Sequence, residues 1–424
     1  MVMKVGFVKT APKLVLATTL ILSMLALGGC AGSAALGGDR PEGDADQVVI
    51  GSLHPRTGPN AADGQQMDFA AKMAVDEIND VGGISSLSGA PLKLASVDTK
   101  SEPETAQSEA TRLIQGGASA LVGAFESGPS ANISSVAERN EVPFVMDVAA
   151  LDSILEQGYD YSFRIQPSGG MMGKRSADYL HQIAKDAKED VSTVGVLYEQ
   201  GNYGTAVDNA FEDRLNELGI KVGASISYDP SSSNMFTQVQ RAVAGGVDVL
   251  AVTGYYSDSL LIAQAIHSIA PDIKAVYGVA NGGFDQEQFI NDAPKGGEGY
   301  LNANYRLDVT NEDALKVASK FEESYGEPMR ASAALTYDAV NLVADAIEEA
   351  GSADPSVIRE SIADSDYRPI VVNDGPVDFD ATGQNSNAAV SVLQVQKGQI
   401  RTVFPDELAE SPYEFPSREN SSTK

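Results

Sequence analysis

Short apolar strands alternate with amphipathic helices along this chain, and the alternation occurs twice. In the first unit the helix over Gln66–Asn79 is the clearest, because its apolar residues fall on one face at 3.6-residue periodicity. Alternation of this kind builds parallel sheets flanked by helices. The unit contains predicted strands separated by predicted helices: Val48–Leu53, Gln66–Asn79, Pro91–Val97, Pro103–Gln115, Ala120–Ala124, Pro129–Arg139 and Val142–Met146.

A second unit of the same kind runs from Gln166 to about Asn302. Its predicted strands and helices are Thr193–Tyr198, Thr205–Glu217, Val222–Ser227, Phe236–Ala244, Val247–Thr253, Ser257–Ile269 and Ala275–Val279. Helices at Glu312–Tyr325 and Ala331–Ala350 follow without strands between them, so we expect the chain to return and pack on its first lobe. Strands near Val377–Phe379, Val390–Gln396 and Ile400–Val403 are predicted to close the fold.

These patterns predict an α/β fold of two Rossmann-like lobes, each a parallel sheet flanked by helices, joined by a three-strand hinge. The hinge strands are expected near Ile165, Asn302 and Pro369. The polar, proline-dotted tail is expected to be poorly ordered. The predicted bounds are 47–165 with 303–370 for the N-lobe, 166–302 with 371–404 for the C-lobe, and 405–424 for the tail.

The N-terminus has the pattern of a secretory signal. Three lysines precede an apolar run from Leu14 to Leu27, which is too short to span a bilayer comfortably. Cys30, the only cysteine, follows two glycines and resembles the lipidated cysteine of bacterial lipoproteins. We expect a signal peptide over 1–29, a flexible tether over 30–46, and a lipid anchor on Cys30 outside the cytoplasm. The alternative is an ordinary secretory signal with an incidental cysteine.

Composition narrows the possible partners and activities. The formal charge of −29 argues against nucleic acid and anionic lipid, since both require a basic surface. The membrane contact is therefore expected through the lipid anchor alone. The three histidines are isolated in sequence, and no phosphate-loop or nucleophile-elbow motif occurs. We expect no metal, no cofactor and no enzymatic activity.

Candidate binding residues follow the strands, because ligands of open α/β sheets bind beyond the carboxyl ends of the strands. Ser127 and Gly128 open a helix after one strand, where free N–H groups favour a carboxylate. Tyr255 and Tyr256 occupy the equivalent place in the second unit and offer flat apolar faces. The alternative is that the serine is a plain helix cap and that the tyrosines belong to the core.

Three further segments meet the same criterion. They are Asp147, Val148, Ala149 and Ala150 after one strand, Tyr203 after another, and Asn281 after a third. Asp147 either holds a ligand ammonium group or caps a turn. The sequence leaves both roles open.

Several motifs resemble the type I periplasmic solute-binding proteins of ATP-driven importers, in the leucine/isoleucine/valine-binding branch. The similarity covers roughly Val48 to Val403. The motifs are Ile50-Gly51-Ser52-Leu53, Thr57-Gly58, Ala74-Val75-Asp76-Glu77-Ile78-Asn79, Gly82-Gly83-Ile84, Ala120-Leu121-Val122-Gly123, Val142-Pro143-Phe144-Val145, Tyr203-Gly204, Thr336-Tyr337-Asp338-Ala339 and Gly375-Pro376-Val377-Asp378-Phe379.

The resemblance implies roles for particular residues. Ser127 matches the serine that binds the ligand carboxylate, and the segment from Val148 to Ala150 matches the second carboxylate-binding segment. Tyr203 and either Tyr255 or Tyr256 match the aromatic lids. Tyr337 matches an aromatic-flanked helix near the hinge.

Two positions depart from the amino-acid binders of that family. A hydroxyl residue is usual where Ala150 stands, and an acid is usual near Ala280. Asp147 or Glu126 could replace the missing acid; otherwise the ligand is an amide, a urea-like compound, or an aromatic or aliphatic acid.

The resemblance implies a monomer that captures a small solute between its lobes and passes it to the membrane subunits of an ABC permease. A sensory module of the same fold is the alternative.

Overall fold

The computed structural model describes residues 47–372 and 375–417. The predicted signal peptide, tether and lipidated Cys30 lie outside these residues. Within the described ranges, none of the helices is both long and apolar enough to cross a membrane.

Strands and helices alternate along most of the chain. The strands are β1 Val48–His54, β2 Leu92–Asp98, β3 Ala120–Gly123, β4 Phe144–Met146, β5 Ser162–Arg164, β6 Thr193–Glu199, β7 Lys221–Tyr228, β8 Val249–Thr253, β9 Ala275–Val279, β10 Leu301–Asn304, β11 Ser391–Gln396 and β12 Gln399–Phe404. The helices are α1 Ala61–Asp80, α2 Pro103–Gln115, α3 Ser127–Asn140, α4 Gly169–Asp186, α5 Asn202–Glu217, α6 Phe236–Ala242, α7 Tyr256–Ile269, α8 Glu287–Asp292, α9 Glu312–Tyr325, α10 Ala331–Ala350 and α11 Pro355–Ala363.

The strands form two sheets. The first has the order β2-β1-β3-β4-β5 and is parallel throughout. The second has the order β12-β11-β10-β9-β8-β6-β7, with β11 and β12 joining antiparallel to a parallel set. The predicted α/β fold with two sheets flanked by helices is confirmed.

Each sheet carries its own helices. We call the first sheet with α1–α3 and α9–α11 lobe 1, and the second sheet with α4–α8 lobe 2. Met67 of α1, Val122 of β3 and Leu342 of α10 belong to one buried cluster, so the late helices pack on the first sheet. Val196 of β6 and Phe211 of α5 belong to another. The residue bounds given above for the two lobes stay a prediction.

Two expectations about the C-terminal part were wrong. Val377–Phe379 is not a strand; an isolated bridge joins Phe379 to Asn385. The tail over residues 405–417 is not loose but packs on lobe 2. Glu414 exchanges two 2.8 Å hydrogen bonds with the buried Gln394, which a polar tail sequence does not reveal.

Candidate functional site

A small cavity of about 40 Å³ lies between the two sheets, at the carboxyl ends of their strands. Residues that follow parallel strands collect at one sheet edge, so both lobes contribute to it. Its walls are largely apolar and aromatic. They consist of Phe125, Ser127, Val148 and Ala150 from lobe 1, Met172, Tyr203, Gly254, Tyr255, Ala280 and Gly282 from lobe 2, and Tyr305 from the connection after β10.

Ser127 lies in this wall at the first position of α3. The preceding residue, Glu126, is extended, and no side-chain hydrogen bond caps the helix start. The first N–H groups of a helix have no partner within it, and Pro129 carries none, so the amides of Ser127 and Gly128 remain as donors. The Ser127 hydroxyl accepts from the Leu151 amide at 3.2 Å, which leaves its own proton free to donate. This end of the cavity suits an anion.

In the second predicted segment of lobe 1, every other residue lines the cavity. Val148 and Ala150 line the cavity, whereas Ala149 lies outside the wall and its amide donates to Ala124. Gly128, although next to Ser127, also lies outside the wall, because its Cα faces Pro103 at the start of α2.

Three aromatic rings lie next to one another in this wall. The ring centroid of Tyr255 lies 5.4 Å from that of Tyr203 and 5.9 Å from that of Phe125, so the rings connect lobe 2 to lobe 1. The Tyr203 hydroxyl donates to the Ala280 carbonyl. Burial raises the pKa of Tyr255 well above its ordinary value, so this phenol stays neutral.

The structure does not bring Asp147 to the cavity. Its side chain is fully buried inside lobe 1, and its Oδ2 accepts from His54 Nε2 and from Thr336 Oγ1, both at 2.7 Å. Glu126, the other acid considered for a ligand ammonium group, accepts from Asn60 at 2.8 Å and is also absent from the cavity wall. Burial raises the pKa of Glu126.

Three other predicted residues lie elsewhere. The Tyr256 hydroxyl donates to Asp292 at 2.7 Å, outside the cavity wall. Asn281 is fully buried, and its side-chain oxygen accepts backbone N–H groups of its own loop. The Tyr337 hydroxyl donates to Glu77 within lobe 1. These contacts maintain the fold and do not form the cavity.

Six of the eleven wall residues were not among the predicted site residues. Phe125, Gly254, Ala280 and Gly282 lie within two positions of predicted residues, whereas Met172 and Tyr305 do not. Met172 belongs to α4, which Ser168 caps by accepting from the Met171 amide at 3.2 Å. Apolar residues recur at helical spacing along α4, and this pattern could have predicted the helix from the sequence. Tyr305 directly follows β10, which was expected only as a hinge strand near Asn302, so the strand-end criterion was not applied to it.

A larger chamber of about 490 Å³ adjoins the cavity. Phe125, Gly282 and Tyr305 line both spaces. Unlike the cavity, the chamber has charged and amide side chains in its wall, including Asp63, Asp285, Asn304, Gln286, Arg306 and Arg330.

Comparison with known proteins gives consistent results. The sequence profile of the periplasmic binding protein family matches residues 47–399. The Leu/Ile/Val-binding protein homolog 7 of Brucella abortus is 28% identical over 388 residues, covering 87% of this chain and 94% of its own.

Two solved structures are similar as well. The leucine-binding protein of Thermotoga maritima is 25% identical, with a TM-score of 0.74, over 85% of this chain and 100% of its own. The branched-chain amino acid substrate-binding protein of Streptococcus pneumoniae, in complex with isoleucine, is 25% identical, with a TM-score of 0.73, over 84% and 97%.

Proposed function

This chain belongs to the type I periplasmic binding proteins, in the branched-chain amino acid branch, and we propose that it captures a small carboxylate-bearing solute for an ABC-type permease. The relatives are named for leucine, isoleucine and valine binding, which supports a solute of that size. As the family is one of binding proteins, we propose binding without chemical change of the solute.

The observation that carries the proposal is the placement of Ser127. It offers a hydroxyl proton and a helix N-terminus to an enclosed space whose other walls are apolar. A carboxylate there would accept hydrogen bonds from the hydroxyl and the amide of Ser127, the first residue of α3. Charge-assisted hydrogen bonds of this type are the stronger ones.

We propose that the lobes open and close around the solute. The chain passes between them near Ile165, near Asn302 and between α11 and β11, which are the natural hinge positions. A ligand that touches Ser127 in lobe 1 and Tyr255 in lobe 2 stabilises the closed form, because only that form supplies both contacts.

We also propose that the mature chain begins at Cys30 and that lipid on its thiol holds the protein at the extracytoplasmic surface of a membrane. The basic residues, the short apolar run and the glycines before Cys30 support this. A Cys30→Ser variant should appear in the soluble extracytoplasmic fraction. Continued membrane association of that variant would contradict the anchor.

Titration calorimetry with small carboxylic acids and amino acids tests the solute proposal. We expect Ser127→Ala to weaken binding of the best ligand by roughly tenfold, the value of one hydrogen bond to a charged group. Ser134→Ala, a buried serine of the same helix outside the cavity wall, is the matched control and should bind as the wild type does. Equal affinity in all three proteins would reject the proposal.

A further inference from the structure

The cavity beside Ser127 measures only about 40 Å³. The adjoining chamber, at about 490 Å³, is much larger. Since Phe125, Gly282 and Tyr305 line both spaces, a molecule extending past them contacts both.

The wall of the chamber contains one hydrogen-bond acceptor that the described residues leave unfilled, the side-chain oxygen of Gln286. Gln286 is only 9% exposed, and its Nε2 donates to the Gly282 carbonyl at 2.6 Å, which fixes the orientation of the amide. Its Oε1 then accepts no hydrogen bond from any described residue. The neighbouring Asp285 accepts from Asn304 Nδ2 at 2.9 Å through one carboxylate oxygen. Buried acceptors are normally satisfied, so the Gln286 oxygen calls for a donor, and the Asp285 carboxylate belongs to the same wall.

The charged side chains in the chamber wall indicate whether that donor is neutral or positively charged. Arg330 is paired with Asp63 at 3.0 Å, and Arg306 is paired with Glu410 at 3.0 Å. Asp285 has no ion pair among the described side chains. Burial raises the pKa of Asp285 to about 7, and a cation beside it would offset that cost of ionisation.

We propose that the solute is an extended carboxylate with a positively charged nitrogen group at its far end, bound by Asp285 and Gln286 in the chamber. The proposal rests on the proposed function, since the carboxylate is assigned to Ser127. It differs from an α-amino acid in the position of the charge. No acid lines the small cavity, so an ammonium group directly beside the carboxylate has no partner there.

Three probes separate these possibilities by calorimetry on the full binding protein. They are hexanoate, norleucine, and 6-aminohexanoate, the isomer of norleucine with its ammonium group at the other end of the chain. We expect 6-aminohexanoate to bind about tenfold more tightly than either of the others, because it alone supplies a donor in the chamber. If norleucine or hexanoate binds as tightly, the proposal is wrong.

Variants then locate the effect. Asp285→Asn and Gln286→Ala should each reduce the preference for 6-aminohexanoate over hexanoate while leaving hexanoate affinity unchanged. Asp272→Asn, the same substitution at an exposed acid of lobe 2 that lines neither space, should keep the preference. A preference that survives both Asp285→Asn and Gln286→Ala overturns the inference but leaves the proposed function standing. Failure of every small carboxylate to bind, with no effect of Ser127→Ala, rejects both.

Discussion

Two side chains at the same edge of the first sheet have very different surroundings. Ser127 follows β3 and Asp147 follows β4, its neighbour in the sheet, so both lie at the carboxyl edge. Ser127 lines the cavity between the lobes and keeps a proton to donate. Asp147 is fully buried in lobe 1 and accepts from His54 and Thr336.

The difference shows that position at a strand end does not by itself define a site. A side chain is available to a ligand only if hydrogen-bond partners within the protein do not already occupy it. The hydrogen-bond partners of Asp147 are His54 in β1 and Thr336 in α10, which lie 93 and 189 positions away in sequence. No local pattern relates residues at such separations, so the sequence left the role of Asp147 open.

The largest effect is expected from Asp147→Ala. Removing the carboxylate takes away the acceptor of the buried His54 Nε2–H, whereas the Thr336 hydroxyl still has the Ser332 carbonyl at 3.1 Å. Breaking a buried pair in this way costs about 3 kcal/mol of unfolding free energy. Urea unfolding would measure the loss, and calorimetry on the folded variant should give the solute affinity of the wild type.

The control for this variant is Asp76→Ala. Asp76 lies on the surface of α1, where its side chain is 56% exposed, so its removal should hardly change unfolding. If Asp147→Ala unfolds like the wild type but binds solute poorly, then Asp147 contributes to solute binding and not to stability.

Much of the fold was predictable because its signals are local. The bounds of α2, α9 and α10 agree with the sequence prediction. Pro103 begins α2, and Asn311 caps α9 by accepting from Asp313 and Ala314. The short β5 was expected only as a hinge strand near Ile165, without bounds. The helices α4 and α11 were missed although Ser168 caps the first and Asp354 caps the second.

The site was predictable only as a set of candidates. The strand-end criterion selected Ser127, Tyr203 and Tyr255, which the structure places in the cavity wall; their role in binding stays a prediction. It selected Tyr256 equally, because one helix start presents two adjacent tyrosines. Which of them turns inward depends on Phe125 across the lobe interface, a contact that the sequence does not contain.

The adjacent residues Tyr255 and Tyr256 allow the same comparison, between a side chain in the cavity wall and one outside it, to be made in lobe 2. Tyr255→Ala removes the ring that lies against both Tyr203 and Phe125, so we expect a loss of about 2 kcal/mol of binding, or roughly 30-fold in Kd. Tyr256→Ala, one position on, should bind the solute normally because its hydroxyl contacts Asp292 outside the wall. Equal losses in the two variants would show that the helix start, and not the ring of Tyr255, matters.

The smallest effect concerns Asp208, a buried acid of α5 without the donors that Asp147 has. Its Oδ1 accepts no hydrogen bond from any described residue; burial, with the like charge of Glu212, raises its pKa to about 8. An unfolded aspartate titrates near about 3.9, so the folded state retains this proton longer and stability falls as pH rises between about 4 and 8.

Asp208→Asn should therefore stabilise the protein by about 1 kcal/mol at a pH above 8, the usual gain from one favourable substitution. The gain should vanish below about pH 3, where the wild-type carboxyl is protonated in both states. Thermal unfolding across this pH range measures it, with Asp213→Asn on the exposed side of α5 as the matched control. Wild-type stability that is flat from pH 5 to above pH 8, after subtracting the control, would show that Asp208 has a donor after all and belongs with Asp147.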